Sequence, residues 1–554
     1  MRANPANLGA RLTRPWSRSA ARLGTDVREL VCLAGIVGVG AVVRFANLPV
    51  RGGWDSDQGT EMLALRAALS AGRLPTFGPE AISVTNSFHH GALYYDLLLP
   101  AAWLGNGDPT WVVAEIAFLS LFVIPIVWWI ARTMGGTAAG LVAALVAATS
   151  ASLIGYATFI WNPTLVEPAA ALAFLGAWQA IRTRRAAWWV VAGVGAAIAA
   201  QAHIAAAVIV LPLGAALLID LRRGPAERRR GILAWSLAGA ALFVATYLPL
   251  IASELSHDFA DTRGMLAYFS EPNSASTAGP PVRLLFATIR ILAWPLMRWP
   301  LVDFKPAFML AFTTASAMII GLVWRLGATT SRKPLHPTTQ PSAPEQASDS
   351  PDAARLGIRL VGGWLLLLIV SLGLGLHAVS EVQDLPTEQY HVVADPLVLV
   401  ALGLILGGLW RALPGRGLTA ARRATAAIAI VALLAWNVGR WPPLTSADGG
   451  WPAAQAAATR VEADAGGSAV SLVPLFVAKG SDAYLYPLVR DGVQITPAAQ
   501  ATTVVVLCDT FWTQGCGGAA EDAWRTSSTL GPLTQIDRFD AAPDRILTVY
   551  KRAP

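Results

Sequence analysis

Hydrophobic residues run through this chain in long blocks, and polar residues collect in the gaps between them. Blocks at about 30–48, 111–131, 138–155, 163–181, 231–252, 306–326, 358–377, 391–411 and 424–441 are each about as long as a membrane-crossing helix, which needs about 20 residues. A further apolar stretch, 187–220, lies between two arginine clusters: Arg182, Arg184 and Arg185 before it, and Arg222, Arg223, Arg228, Arg229 and Arg230 after it. Both clusters belong in the cytoplasm by the positive-inside rule, so an even number of crossings separates them. Two helices turning near Gln201–His203 meet that condition, and one long helix does not. The pattern predicts about eleven transmembrane helices, with a shorter apolar segment, Gly91–Leu104, lying at or dipping into the outer surface.

The remaining arginines fit the same layout. Arg132, Arg325, Arg411, Arg416, Arg422 and Arg423 fall inside; residues 49–107, 253–305 and everything after Arg440 fall outside. Residues 1–28 form a basic cytoplasmic N-terminus leading into an uncleaved anchor. The transmembrane domain covers 29–441, interrupted at 327–357 by a cytoplasmic linker rich in Pro, Ser, Thr and Gln that reads as disordered. Beyond Trp441 the pattern changes: 452–465 reads as a helix, and Ala469–Val473, Thr502–Leu507, Leu533–Phe539 and Arg545–Lys551 read as short strands. The expected fold is an α-helical polytopic membrane protein with a small extracytoplasmic α/β domain at 442–554. Cys508 and Cys516 sit close together in that domain, and an oxidising compartment makes them a disulfide candidate.

Composition sharpens this picture. Hydrophobic residues make up 54% of the chain and charged residues 14%, against about 25% charged in ordinary globular domains. The net charge of +7 does not point to nucleic acid, because the arginines sit in short inter-helix loops. No P-loop, dinucleotide fingerprint, HExxH motif or internal repeat is present.

Candidate chemistry gathers on the outer side. The loop after the first helix reads Arg51-Gly-Gly-Trp-Asp-Ser-Asp-Gln-Gly-Thr-Glu61. Acids just beyond a membrane crossing are costly unless paired, solvated or used. Asp55 divides between capping the following helix and function; Asp57 reads as functional. The same loop ends Ser87-Phe-His-His-Gly-Ala-Leu-Tyr-Tyr-Asp96. Tyr94 and Tyr95 suit an interfacial belt, whereas His89 and His90 suit polar substrate contact better than metal, since an adjacent pair lacks spaced partners. Arg44, near the outer end of the first helix, is either a snorkelling side chain or a phosphate ligand. Arg283, Arg290 and Arg298, interleaved with Trp294 and Trp299, mark an amphipathic helix in 253–305 that either lies among headgroups or binds an anionic one. Asn162, His203, Tyr390 and His391 fall at turns on the same outer level, and that coincidence outweighs any one of them.

With these residues in view, the chain resembles the GT-C glycosyltransferases, nearest to the branch that includes lipid A aminoarabinose transferases and protein O-mannosyltransferase-like proteins. The likeness rests on Arg44-Phe-Ala-Asn-Leu-Pro49, on Asp57-Gln-Gly, on His90-Gly-Ala-Leu-Tyr-Tyr and on Tyr390-His-Val-Val-Ala-Asp-Pro396, and covers the layout of 28–441. Gln58 stands where the family often has Glu, and His90-Gly-Ala replaces its Pro-Pro pair. The resemblance implies a bacterial plasma-membrane enzyme that moves a sugar from a polyprenyl-phosphate donor to an envelope glycan, lipid or protein. Asp57 would be the general base, with Asp55 kept as a second catalytic candidate; Arg44, Gln58, His89, His90, Tyr94, Asn162, His203, Arg283, Arg290, Tyr390 and His391 are the candidates for substrate contact. The sequence names no certain cofactor and leaves a divalent cation open. A lipid-linked saccharide transporter or flippase and a polysaccharide ligase or polymerase are the competing readings.

Overall fold

The structure is a computed structural model that describes residues 25–82, 86–270, 279–298, 304–330, 351–375, 388–410, 416–476 and 480–552. The N-terminus to residue 24, most of the expected linker, and Trp299 lie outside the described residues.

Each predicted apolar block is helical. Among the described residues seven helices are long and apolar enough to cross a membrane, and the pair Ala226–Ala245 and Leu248–Ser256, bent by 51°, makes an eighth. Thr137–Thr149 and Trp188–Ala202 are apolar but shorter. Val27–Phe45, with 19 residues, carries Arg28, Glu29 and Arg44. These helices occupy the nine blocks and the two halves of the 187–220 stretch, and the chain is a multi-pass membrane protein. The helices pack through small residues that let backbones approach closely. A Cβ on Gly176 would lie 2.5 Å from the Ala192 nitrogen, and one on Gly407 would lie 2.5 Å from the Ala139 nitrogen.

The bundle has two unlike ends. At one end Glu29, buried, accepts from Trp128 Nε1 at 3.1 Å and Arg132 Nε at 2.9 Å, and Thr137 Oγ1 donates to its other oxygen at 3.0 Å. At the same end Asp220 takes both terminal nitrogens of Arg228, at 2.7 and 3.1 Å, and Arg228 Nε donates to the Arg184 carbonyl. Buried acids there are matched by arginine, without which each would be an uncompensated charge. The opposite end carries the polar turns: Asn162 Nδ2 donates to the Ala202 carbonyl at 2.7 Å, joining the start of one span to the end of the next.

The helix Pro280–Met297 departs from the expected surface helix. It is buried at Ala287 and from Ile289 through Met297, because it packs against Phe304–Thr330, Pro351–Gly375 and Asp395–Leu409. Protein rather than headgroups covers its apolar side.

Two short strands, β1 (Glu80–Ile82) and β2 (Ser87–His89), form an antiparallel hairpin in the first loop. The C-terminal domain holds β3 (Val470–Pro474), β4 (Thr503–Asp509), β5 (Leu533–Ala542) and β6 (Arg545–Arg552) in the order β3-β4-β6-β5. β3 and β4 run parallel and the other pairs antiparallel. The helix Gly450–Ala465 precedes the sheet, and Cys508 is disulfide-bonded to Cys516, their Cα atoms 5.5 Å apart.

This domain is seated on the loop helix Ser56–Ala71 through the helix Asp482–Arg490. Trp54 anchors the seam: its ring lies 4.7 Å from Trp451 and 6.1 Å from Tyr486, and its Nε1 donates to the Ala483 carbonyl at 2.7 Å. Thr60 Oγ1 donates to Asp482 Oδ2 at 2.7 Å, and the Tyr486 hydroxyl donates to the Gly107 carbonyl. At Gly59 the two backbones meet so closely that a Cβ would lie 2.1 Å from the Asp482 carbonyl oxygen. Alanine normally favours a helix interior over glycine by about 0.5–1 kcal/mol. Gly59→Ala is nevertheless expected to lower the melting temperature and open the seam to protease, whereas Gly38→Ala, whose Cβ meets nothing within 4 Å, is expected to do neither.

Candidate active site

The loop helix begins with a reciprocal cap. Asp55 Oδ1 accepts from the Asp57 nitrogen at 2.8 Å, and Gln58 Oε1 accepts from the Asp55 nitrogen at 2.9 Å. Gln58 also donates to the Ile160 carbonyl at 2.8 Å, so this residue is fixed at both ends of its amide. These bonds use Asp55 and Gln58 to build the turn. Asp57 sits half-buried in the first helical turn, where the helix dipole favours an anion.

One turn on, Glu61 faces the same side and is buried. Burial raises its carboxyl to about 8, against the opposing effect of a hydrogen bond from Tyr95 and with the nearby Asp57 charge adding to the rise. The four-residue spacing from Asp57 was the sequence signal for Glu61, which the reading by motif passed over.

The end of the first loop faces this helix. His89 ties the hairpin to the helix Ala260–Ser270, its Nδ1 lying 2.7 Å from Asp261 Oδ1. His90 turns inward, its ring 5.5 Å from His203, and His203 lies 5.4 Å edge-on to Tyr390. Gly91 permits this, since a Cβ there would lie 2.1 Å from Gln201 Oε1, which instead accepts from the Leu93 nitrogen at 3.2 Å. That approach is the physical reason a glycine stands in the departure from the Pro-Pro pair. Burial lowers His90 to about 3, helped by His203 and His89, and lowers His203 to about 4. Both are neutral imidazoles at neutral pH, each with one donor and one acceptor nitrogen. That pairing suits hydroxyl groups.

The late segment closes the wall. His391 is fully buried beside Trp294, their rings 6.2 Å apart, and the Arg290 charge acts on it. Arg283 Nη2 donates to the Leu374 carbonyl at 2.9 Å, and Arg298 Nη1 to the Ala151 carbonyl at 3.3 Å. Arg44 lies elsewhere in function: it is wholly buried, donating to Ser120 Oγ and to the carbonyls of Gly40, Ala147 and Ala148 at 3.0–3.3 Å. Its guanidinium ties three helices together, so of the arginines singled out by sequence, those of Pro280–Met297 stand nearer the wall. Two acids the motif reading did not single out, Glu167 and Asp395, lie close to each other, with Arg44 nearby. Their signal was an acid inside an apolar block.

Glu61, Tyr94 and His90 thus come from two stretches of the first loop, His203 from a turn between spans, and Tyr390 and His391 from the late segment. Among the described residues, Glu61 Oε2, the Tyr94 hydroxyl and His90 Nδ1 are buried without a protein hydrogen-bond partner. Leaving such an atom unpaired costs about 1–3 kcal/mol. No group of three or more His, Cys, Asp or Glu side chains converges as a metal site among the described residues.

No known protein family's profile matches the sequence, and neither does any curated protein. Solved structures do match. ArnT from Cupriavidus metallidurans, in its apo state, shares 14% identity over 93% of this chain and 97% of its own, with a TM-score of 0.55. A second structure of that protein holds undecaprenyl phosphate. The arabinofuranosyltransferase AftD from Mycobacteria matches 94% of this chain and 39% of its own at 14% identity and a TM-score of 0.49. An oligosaccharyltransferase from Archaeoglobus fulgidus matches 85% of this chain and 64% of its own at 12% identity, with a TM-score of 0.47. The chain shares the GT-C-like fold of ArnT over nearly the whole of both proteins.

The Glu61 shift has a testable sign. A carboxyl at about 8 in the folded state and 4.5 in the unfolded state is protonated in the folded protein across that window, so its contribution to stability is lost as pH rises toward 8. The two histidines act oppositely, but only below their ordinary value of 6.5. Thermal stability in detergent is therefore expected to fall between pH about 6.5 and 8. Glu61→Gln is expected to flatten that slope when melts are compared across the same range.

Proposed function

We propose that this chain is a glycosyltransferase that moves a sugar from a polyprenyl-phosphate-linked donor to an extracytoplasmic envelope glycan, lipid or protein. The observation that carries the reading is the wall just described: buried Glu61 lies one turn from Asp57, and an oxygen of Glu61, the Tyr94 hydroxyl and His90 Nδ1 have no protein hydrogen-bond partner among the described residues. Such groups are satisfied by a hydroxyl-rich ligand. The GT-C fold supports the same reaction type, and the undecaprenyl phosphate held by ArnT supports a polyprenyl-phosphate donor.

The chemistry follows from the residues. Asp57, as carboxylate, takes the proton of the acceptor hydroxyl or amine. The acceptor atom then bonds to the anomeric carbon as the bond from that carbon to the phosphate oxygen breaks. Polyprenyl phosphate leaves with the electron pair, and Arg290 is the cation best placed to hold its charge. Direct displacement inverts the anomeric configuration. Protonated Glu61 and the neutral imidazoles of His90 and His203 hydrogen-bond sugar hydroxyls without adding charge, which leaves the Asp57 carboxylate and the phosphate as the anions of the reaction. Gathering of the polar groups at one end argues against a transporter, whose polar groups sit near the midplane.

Asp57→Asn is expected to insert and fold normally but to lower transfer by about 10²-fold or more. The measurement is incorporation of labelled sugar from a polyprenyl-phosphate donor in membranes carrying equal amounts of each variant. Wild-type transfer by the variant removes Asp57 from the role.

A further inference from the structure

Beside the loop helix, on the side of the C-terminal domain, lies a cleft of about 230 Å³ that no part of the proposed reaction uses. One wall is Asp55 and Ser56, the two residues before Asp57. The other wall is the C-terminal end of the two parallel strands: β3 runs out to Pro474 and Phe476, and β4 to Leu507 and Asp509. Ligands of open α/β sheets bind outside the carboxyl ends of parallel strands. The turn between β5 and β6 completes the rim with Asp544 and Arg545.

The rim is aromatic as well as acidic. Phe476 and Trp512 stack with centroids 4.9 Å apart and 4° between planes, and Phe511 meets Trp512 edge-on at 4.7 Å. Phe511 is 74% exposed and Trp512 44% exposed. Large exposed rings that cluster on a domain outside the bundle mark an interaction surface. The shelf is also braced. The Cys508–Cys516 disulfide closes the loop that carries both rings. Asp509 holds the start of that loop, Oδ1 accepting from the Phe511 nitrogen at 2.9 Å and its carbonyl accepting from the Thr513 nitrogen at 2.8 Å. A loop built only as a connection needs no such bracing of two solvent-facing rings.

Charge selects the ligand. Asp55, Asp509 and Asp544 face the cleft against one cation, Arg545, whose Nη1 donates to the Trp54 carbonyl at 2.7 Å and whose Nε lies 3.8 Å from Asp509 Oδ2. A net negative rim repels a phosphate-bearing donor and an anionic lipid surface. It favours a neutral molecule that presents hydroxyl donors to carboxylates and a C–H face to flat rings. Those two demands together describe a saccharide.

We infer that this cleft binds the sugar chain of the acceptor and feeds its terminal hydroxyl past Ser56 toward Asp57. The inference rests on the glycosyl-transfer reading for its purpose, but not for its binding test. That test uses the full-length protein in detergent, with the disulfide confirmed by mass spectrometry. The probe is a set of neutral oligosaccharides released by mild acid from the host cell envelope. Saturation-transfer NMR is expected to show contact with ring protons in at least one size fraction. Trp512→Ala and, on the opposite rim, the exposed Asp544→Asn are each expected to weaken that signal about tenfold, while Asp57→Asn keeps it. In the transfer assay Trp512→Ala is expected to raise KM for the acceptor and leave kcat and the donor KM in place. Absence of binding by every fraction to wild-type protein overturns the inference, as does binding that Trp512→Ala and Asp544→Asn both leave intact. A benzoylphenylalanine at position 511 that captures only lipid in cells overturns it too, in favour of a membrane contact. Transfer retained by Asp57→Asn with saccharide binding intact would instead count against the catalytic reading alone.

Discussion

Two backbones meet at Gly59 and Asp482, and much of the site depends on that approach. The loop helix follows the first membrane crossing and is tied to the bundle by the bond from Gln58 to the Ile160 carbonyl. Its register is set by the domain seated on it: Trp54 packs against both Trp451 and Tyr486, the Ala483 carbonyl takes the indole proton, and the absence of a side chain at Gly59 lets the helices close. Asp57 and Glu61 ride on the same helix, so the seam that docks the domain also aims the acids. The remaining wall is brought to them by the bundle, through Gln201 beneath Gly91 and the ring contacts from His90 to His203 to Tyr390.

The bundle itself obeys a simpler rule. At the arginine-rich end the buried acids Glu29 and Asp220 are matched by Arg132 and Arg228. At the other end, polar atoms of Glu61, Tyr94 and His90 are left without protein partners among the described residues.

Much of this was legible in the sequence. Span positions followed from block length, and the turn at Gln201–His203 followed from arginine parity, because burying backbone in lipid leaves few alternatives to a helix. The strands of the C-terminal domain could be read to within a residue at their starts, since β4 is a continuous apolar run, Val504 to Leu507, flanked by polar turns. Tertiary facts were less accessible. Arg44 looks the same in sequence whether its guanidinium meets phosphate or the carbonyls of a neighbouring helix, and the structure commits it to Gly40, Ala147 and Ala148. Pro280–Met297 has an amphipathic pattern that a membrane surface and a groove between helices satisfy equally, and here the groove wins. Glu61 needed only the helical period to join it to Asp57, whereas the pairing of Glu167 with Asp395 joins residues 228 positions apart that no local pattern connects.

The central claim is that the chemistry occurs on the membrane face opposite the arginine-rich loops. Labelling of single cysteines by a membrane-impermeant maleimide tests it directly, in a Cys32→Ser background. Arg73→Cys, exposed just past the loop helix, should react in intact cells, and Arg223→Cys, exposed at the arginine-rich end, only after permeabilisation. Reaction at 223 but not at 73 in intact cells would put Asp57 in the cytosol and contradict the account.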